Sequence, residues 1–146
     1  MEDEKKIIED DFYLDINDET EIYTIESLNN KKRPEEKQMR VHIKPLSGKD
    51  LAQISSRILK EVKMYMKENP KDPREFMDMY NMFAERWEFV YRIEKLENFK
   101  YKEKGEVKEI TDPYDLYTYA NSKFAQIVSE LRAKFMLMDT LNLKNS

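Results

Sequence analysis

Apolar residues recur along this chain at two different spacings, and the switches between them mark out its elements. Between residues 20 and 46 the spacing is two. Ile22 and Thr24 alternate with Tyr23 and Ile25, and Met39, Val41 and Ile43 alternate with Arg40, His42 and Lys44. Successive strand residues face opposite ways, so each stretch reads as a strand with one face turned inward. The polar run between them, NNKKRPEEK, carries a turn signal at Asn29–Asn30 and a proline at 34. A small antiparallel hairpin with a long connection is expected. Phe12–Ile16 is a shorter β-prone piece ahead of it.

From Pro45 onward the spacing lengthens to three and four. Ser47 is placed to cap a helix, with Asp50 three residues on as its capping-box acid. Leu51, Ile54, Ile58, Val62 and Tyr65 then form one stripe, widened by Leu59 and Met66, which predicts a helix near 49–67. The run ENPKDP breaks it. Asp72 can cap the next helix and Pro73 can open it, because a first helical residue needs no N–H. Phe76, Tyr80, Phe83, Trp87 and Val90 predict a second helix near 74–96. Met77, Met79 and Met82 interleave with them, so it is apolar around more than half its circumference.

Residues 97–113 lose the helical spacing. Phe99 and Tyr101 alternate with charged residues and Gly105 supplies a turn, so a short, exposed hairpin or an extended loop is expected there. Asp112 and Pro113 then open a third helix, near 113–139. Tyr117, Ala120, Phe124, Ile127, Leu131, Phe135 and Met138 share its inner face, and Val128, Leu137 and Leu141 widen the stripe. Phe83, Trp87, Phe124 and Leu131 are the expected core. The fold class is therefore mainly α with a small N-terminal antiparallel β element (α+β): three main helices, with room for a short hairpin before the last.

Composition adds two constraints. The chain is 38% charged with two glycines, which suits a helix-dominated protein, and it has no cysteine. A reducing cytoplasm is its expected setting. No apolar run approaches the length of a membrane span, and the first residues do not resemble a signal peptide. The charge is also unevenly spread. Residues 1–20 hold nine acids and two lysines, −7 in all, so the net −4 leaves +3 for residues 21–146. The expected organisation is an acidic mobile arm over 1–11 and a single α+β domain over 12–146. Such a balance argues against nucleic acid as a partner.

No residue set points to chemistry. His42 is the only histidine and shares a strand face with Arg40 and Lys44, where a solvated role is expected. Asp15, Asp18 and Glu21 lack the glycine and the terminal glutamate of a calcium loop. The stretch PLSGKDL has one glycine where a phosphate-cradling loop needs several. No enzyme activity, metal, cofactor or small-molecule substrate is expected. Nine methionines and seventeen aromatics are a more informative surplus. Met64, Met66, Met77, Met79, Met136 and Met138 cannot all face one centre. They are candidates for a surface that binds apolar helices of another protein, or a second copy of the chain.

Four short features carry a family resemblance. Lys44-Pro45-Leu46-Ser47-Gly48-Lys49-Asp50 opens the first helix, a Trp87-bearing helix follows, Gly105 turns before the last helix, and Lys144-Asn145-Ser146 closes the chain. Over residues 39–146 this resembles the small tail assembly chaperones of long-tailed bacteriophages and phage-like gene transfer particles. Asn98-Phe99 stands where that family commonly has tryptophan and small residues, and Lys102–Lys104 replace its usual acidic turn. The resemblance implies a helical protein of the bacterial host cytoplasm. It would coat the apolar helices of the tape measure protein until the tail tube assembles. A structural component of such a particle, or another helical protein-interaction module, is the alternative.

Overall fold

A computed structural model of the chain describes residues 20–68, 73–119 and 121–145. The expected arm over 1–11, the Phe12–Ile16 strand, the Asp72 cap and the place of Ala120 in the helical stripe lie outside the described residues. The fold is α+β, and its order is β1 (Glu21–Thr24), β2 (Arg40–Ile43), α1 (Gly48–Glu68), α2 (Pro73–Arg92), β3 (Ile93–Glu97), β4 (Lys100–Glu103), β5 (Glu106–Glu109), α3 (Pro113–Thr118) and α4 (Ser122–Asn145).

The expected N-terminal hairpin forms. β1 and β2 pair antiparallel, from Glu21 opposite Ile43 to Thr24 opposite Arg40. Met39, Val41 and Ile43 are buried as their alternation requires. Asn30 holds the long connection. Fully buried, it donates through Nδ2 to the carbonyls of Ile25 (2.7 Å) and Met39 (3.1 Å), while its Oδ1 accepts from the Met39 amide (2.8 Å). Each of these replaces a hydrogen bond to water, so the cost of desolvating the buried amide is offset. Leu28 and Asn29 just before it adopt left-handed backbone (φ 57° and 56°), which turns the chain into the connection.

The corner between β2 and α1 is a capping box. The Asp50 carboxylate accepts from the Ser47 amide (3.0 Å) and the Ser47 hydroxyl accepts from the Asp50 amide (3.1 Å). The Ser47 amide and hydroxyl bonds, helped by nearby Lys44, hold the Asp50 carboxyl below the usual carboxylate range against its partial desolvation. The Lys44–Asp50 stretch is thus a strand-to-helix corner.

Two helical expectations need correction. α2 ends at Arg92 rather than 96, and the next five residues form β3 on the free edge of β2. The Lys44 amide donates to the Arg92 carbonyl (2.8 Å), which starts the pairing, and Val41 then faces Leu96. Ile93 and Leu96 stay inward in either conformation. What turns the segment into strand is an unpaired strand edge waiting beside it, which local spacing cannot reveal. The expected long final helix is likewise interrupted. α3 stops at Thr118 and α4 starts at Ser122, with Asn121 Oδ1 accepting from the Lys123 amide (2.9 Å). Tyr119, placed in the break, packs edge-on against Tyr101 and Phe124. Asp112 caps α3 as expected, accepting from the Tyr114 amide at 2.9 Å.

The interior has two parts. The larger lies between the sheet, α4, the end of α2 and the hairpin, with Ile25, Val41, Ile43, Phe99, Leu116, Ile127 and Leu131 at its centre. The smaller lies between α1 and α2, where Ile54, Ile58 and Val62 meet Met79, Phe83 and Trp87. Val90 touches both. Phe83, Trp87, Phe124 and Leu131 are buried as expected. Leu51 and Tyr65, expected on the α1 stripe, are exposed, because α1 packs chiefly on α2 and only the Ile54–Ile58–Val62 line of that stripe is buried there. Phe99, expected on an exposed hairpin, is fully buried. The β4–β5 hairpin pairs as its spacing requires, yet its root is folded under α4.

Candidate partner-binding surface

The six methionines divide by position. Met79, expected at the binding surface, is instead core, in the cluster with Ile58 and Phe83. It sits three and four residues from Phe76 and Phe83, on the side of α2 that meets α1. Met66 and Met138 are half-buried against the smaller and larger core respectively, and serve packing as much as surface. Met64, Met77 and Met136 are exposed, at 61%, 54% and 70%. Met82, also exposed, belongs with them.

α4 gathers these observations into one face. Steps of four residues link Ala125, Ser129, Ala133 and Leu137, with Gln126 and Met136 alongside, and all six are exposed. None is charged, in a chain that is 38% charged. Charges that flank this strip are paired within the molecule. Arg132 pairs with Glu85 (3.0 Å) and Asp139 with Arg92 (2.9 Å), both on α2. Both pairs join residues 47 apart in sequence, so the two helices run parallel along this stretch. On the other flank Lys134 pairs with Glu21 (2.8 Å).

Glu130 completes that second flank. Its carboxylate accepts from the Tyr23 hydroxyl (2.7 Å), the Glu26 amide (2.7 Å) and the Ser27 amide (2.9 Å), which fastens the end of β1 to α4. Burial pushes its pKa up, but the Glu26 amide, the Tyr23 hydroxyl and the Ser27 donors outweigh burial and hold it below the usual carboxylate range. Tyr23, desolvated and bonded to that carboxylate, is raised well above an ordinary phenol.

A second cluster, on the α1–α2 pair, is polar and aromatic. The Arg57 guanidinium lies 4.6 Å over the Trp87 ring and donates to the Tyr91 hydroxyl (2.9 Å). Trp87 Nε1 donates to Glu61 (3.0 Å), and Tyr114 of α3 stacks on the indole at 5.5 Å. These bonds satisfy one another and tie α3 to the helical pair. They leave an open cleft of about 480 Å³ beside Arg57 and Lys60.

His42 is not the solvated residue expected. Its Nε2 lies 2.9 Å from Glu97 on β3, and both side chains are partly buried. That pairing exists because residues 93–97 became a strand. The bond from His42 lowers the Glu97 pKa. Among the described residues no three His, Cys, Asp or Glu side chains converge as a metal site, and no helix is long and apolar enough to cross a membrane. Comparison of the chain with family models, characterised proteins and solved structures finds no match.

Proposed function

We propose that this protein is a non-enzymatic assembly chaperone or adaptor that covers apolar helices of a partner, and that the outer face of α4 is where it does so. The observation that carries this reading is the uncharged strip from Ala125 to Leu137, flanked by Glu130, Arg132, Lys134 and Asp139, each of which is engaged within the molecule. Small residues at Ala125, Ser129 and Ala133 let a second helix approach closely. Met136 and Leu137 at the end of the strip supply apolar area and adaptability. The strip is about 18 Å long at 1.5 Å per residue, enough to receive three turns of a partner helix. Exposed Met64, Met77 and Met82 on the helical pair would extend the coverage.

The resemblance of Lys44–Asp50 and Lys144–Ser146 to tail assembly chaperones supports a tape measure protein of a long-tailed phage as that partner. The test is co-expression with such a protein. With the wild-type chain the partner stays soluble. With Met136→Glu and Leu137→Glu together it precipitates, because each buried apolar side chain contributes about 1.5–3 kcal/mol and two charges would forfeit at least about a hundredfold in affinity. Protection by the double variant equal to wild type would sink the reading.

A further inference from the structure

A different part of the surface gathers cations around aromatic rings. The β1–β2 connection, the β4–β5 hairpin and the α3–α4 corner converge on a cleft of about 420 Å³. Its floor is a three-ring cluster: Tyr101, Tyr119 and Phe124 stand edge-on to one another at 5.0 to 5.4 Å. Its rim carries Arg33, Lys100, Lys102 and Lys123, and an adjoining cleft that shares Arg33 and Lys100 adds Lys37. All five cations are exposed, and among the described residues none of them lies within ion-pair distance of a carboxylate. The carboxylate on the cleft wall, Glu103, is already engaged by the Tyr119 hydroxyl and by Lys108 (3.1 Å). Five like charges gathered at one place repel each other, and an anionic occupant relieves that repulsion.

We propose that the cleft is the docking site of the chain's own acidic N-terminal stretch, residues 1–19. Nine acids against two lysines give this stretch −7, the complement of the rim. Within it, Glu9-Asp10-Asp11-Phe12-Tyr13-Leu14-Asp15 sets two aromatic rings among carboxylates, matching an aromatic floor ringed by cations. The tether is long enough. Thr20 enters β1 at the end of the sheet where Glu21 faces Ile43, and the cleft lies at the other end, beside Leu28 and Met39. From Thr20 to Leu28 is eight residues, about 26–29 Å at full extension, and the eight residues from Phe12 to Thr20 can retrace that distance. A short tether holds the segment at an effective concentration of order mM, so weak contacts suffice. A nucleic acid arriving from solution would have to displace this segment against its −7, which disfavours it as the resident ligand.

The chain has no cysteine, so Ile8→Cys gives the full-length protein a single attachment point for a nitroxide label. Paramagnetic broadening of backbone amides is then read by NMR at low salt. Broadening concentrated on Tyr101, Asn121 and Lys123 is expected. Half-molar salt, or Lys100→Glu with Lys102→Glu, should reduce the docked population by about tenfold, as the loss of a few exposed ion pairs can do. Broadening spread evenly, centred elsewhere, or unchanged by both salt and the double variant overturns the proposal. So does broadening that appears only between labelled and isotope-enriched molecules in a mixed sample, which would mean a second copy supplies the segment. An oligonucleotide that shifts the cleft amides while the label leaves them sharp would reassign the cleft to nucleic acid. The salt series on the unsubstituted rim keeps the test valid if the double variant fails to fold.

Discussion

At the scale of single residues, side chains in this protein act through the partner each one meets. Phe99 illustrates it: alternation placed it on a strand, but only the packing of the hairpin root under α4 makes it fully buried. Phe99→Ala should cost about 3–5 kcal/mol in urea unfolding, the usual range for emptying a phenylalanine site. Glu130 acts through three donors at once. Because its folded pKa is depressed, its contribution is complete above the unfolded carboxylate value of about 4.3 and is lost as pH falls through the folded value. Glu130→Gln should therefore destabilise at pH 7 by about 1–3 kcal/mol, toward the low end because the site is partly solvated. The difference between variant and wild type should shrink as unfolding is repeated in acid below pH 4. An equal gap at both pH values would mean that the carboxylate charge is not what fastens β1 to α4.

Among the elements, Met77 and Met79 of α2 separate core from surface. Met79 faces α1 and Met77, two residues earlier, faces away. Met79→Glu should unfold the α1–α2 pair, because a carboxylate would be forced into an apolar interface with no partner. Met77→Glu should leave the thermal midpoint nearly unchanged. Equal losses would show that α2 is rotated from its described orientation. The break before α4 has a similarly local cause. Asn121 caps the new helix, and removing that cap by Asn121→Ala should cost about 1 kcal/mol, measured by thermal unfolding.

For the whole molecule, the divided interior sets the order in which it opens. α1 is held mainly by α2, through six buried residues that form a cluster separate from the one around α4 and the sheet. The larger cluster joins elements distant in sequence and holds more buried residues. Native-state hydrogen exchange should then show α1 amides exchanging by a lower-energy opening than those of β2 and the middle of α4. Uniform protection across both would mean that Val90 and the Trp87–Tyr114 stack couple the two parts into one cooperative unit.

Much of this architecture was legible in local spacing. The β1–β2 alternation, the Ser47–Asp50 capping box, the Asp112–Pro113 helix start and the stripe from Phe124 to Phe135 each depend on residues a few positions apart. Their geometry follows from the helical or strand period itself. Three outcomes were decided elsewhere. Residues 93–97 became strand because β2 offered an unpaired edge, and His42 acquired Glu97 as a consequence. The final helix broke at Tyr119 because its ring is taken up by Tyr101 and Phe124. The methionines divided into core and surface according to which side of each helix has a neighbour. The uncharged strip of α4 and the cationic cleft belong to the same group. Periodicity shows which residues share a face, but only the assembled fold determines whether that face is covered and where its charges go.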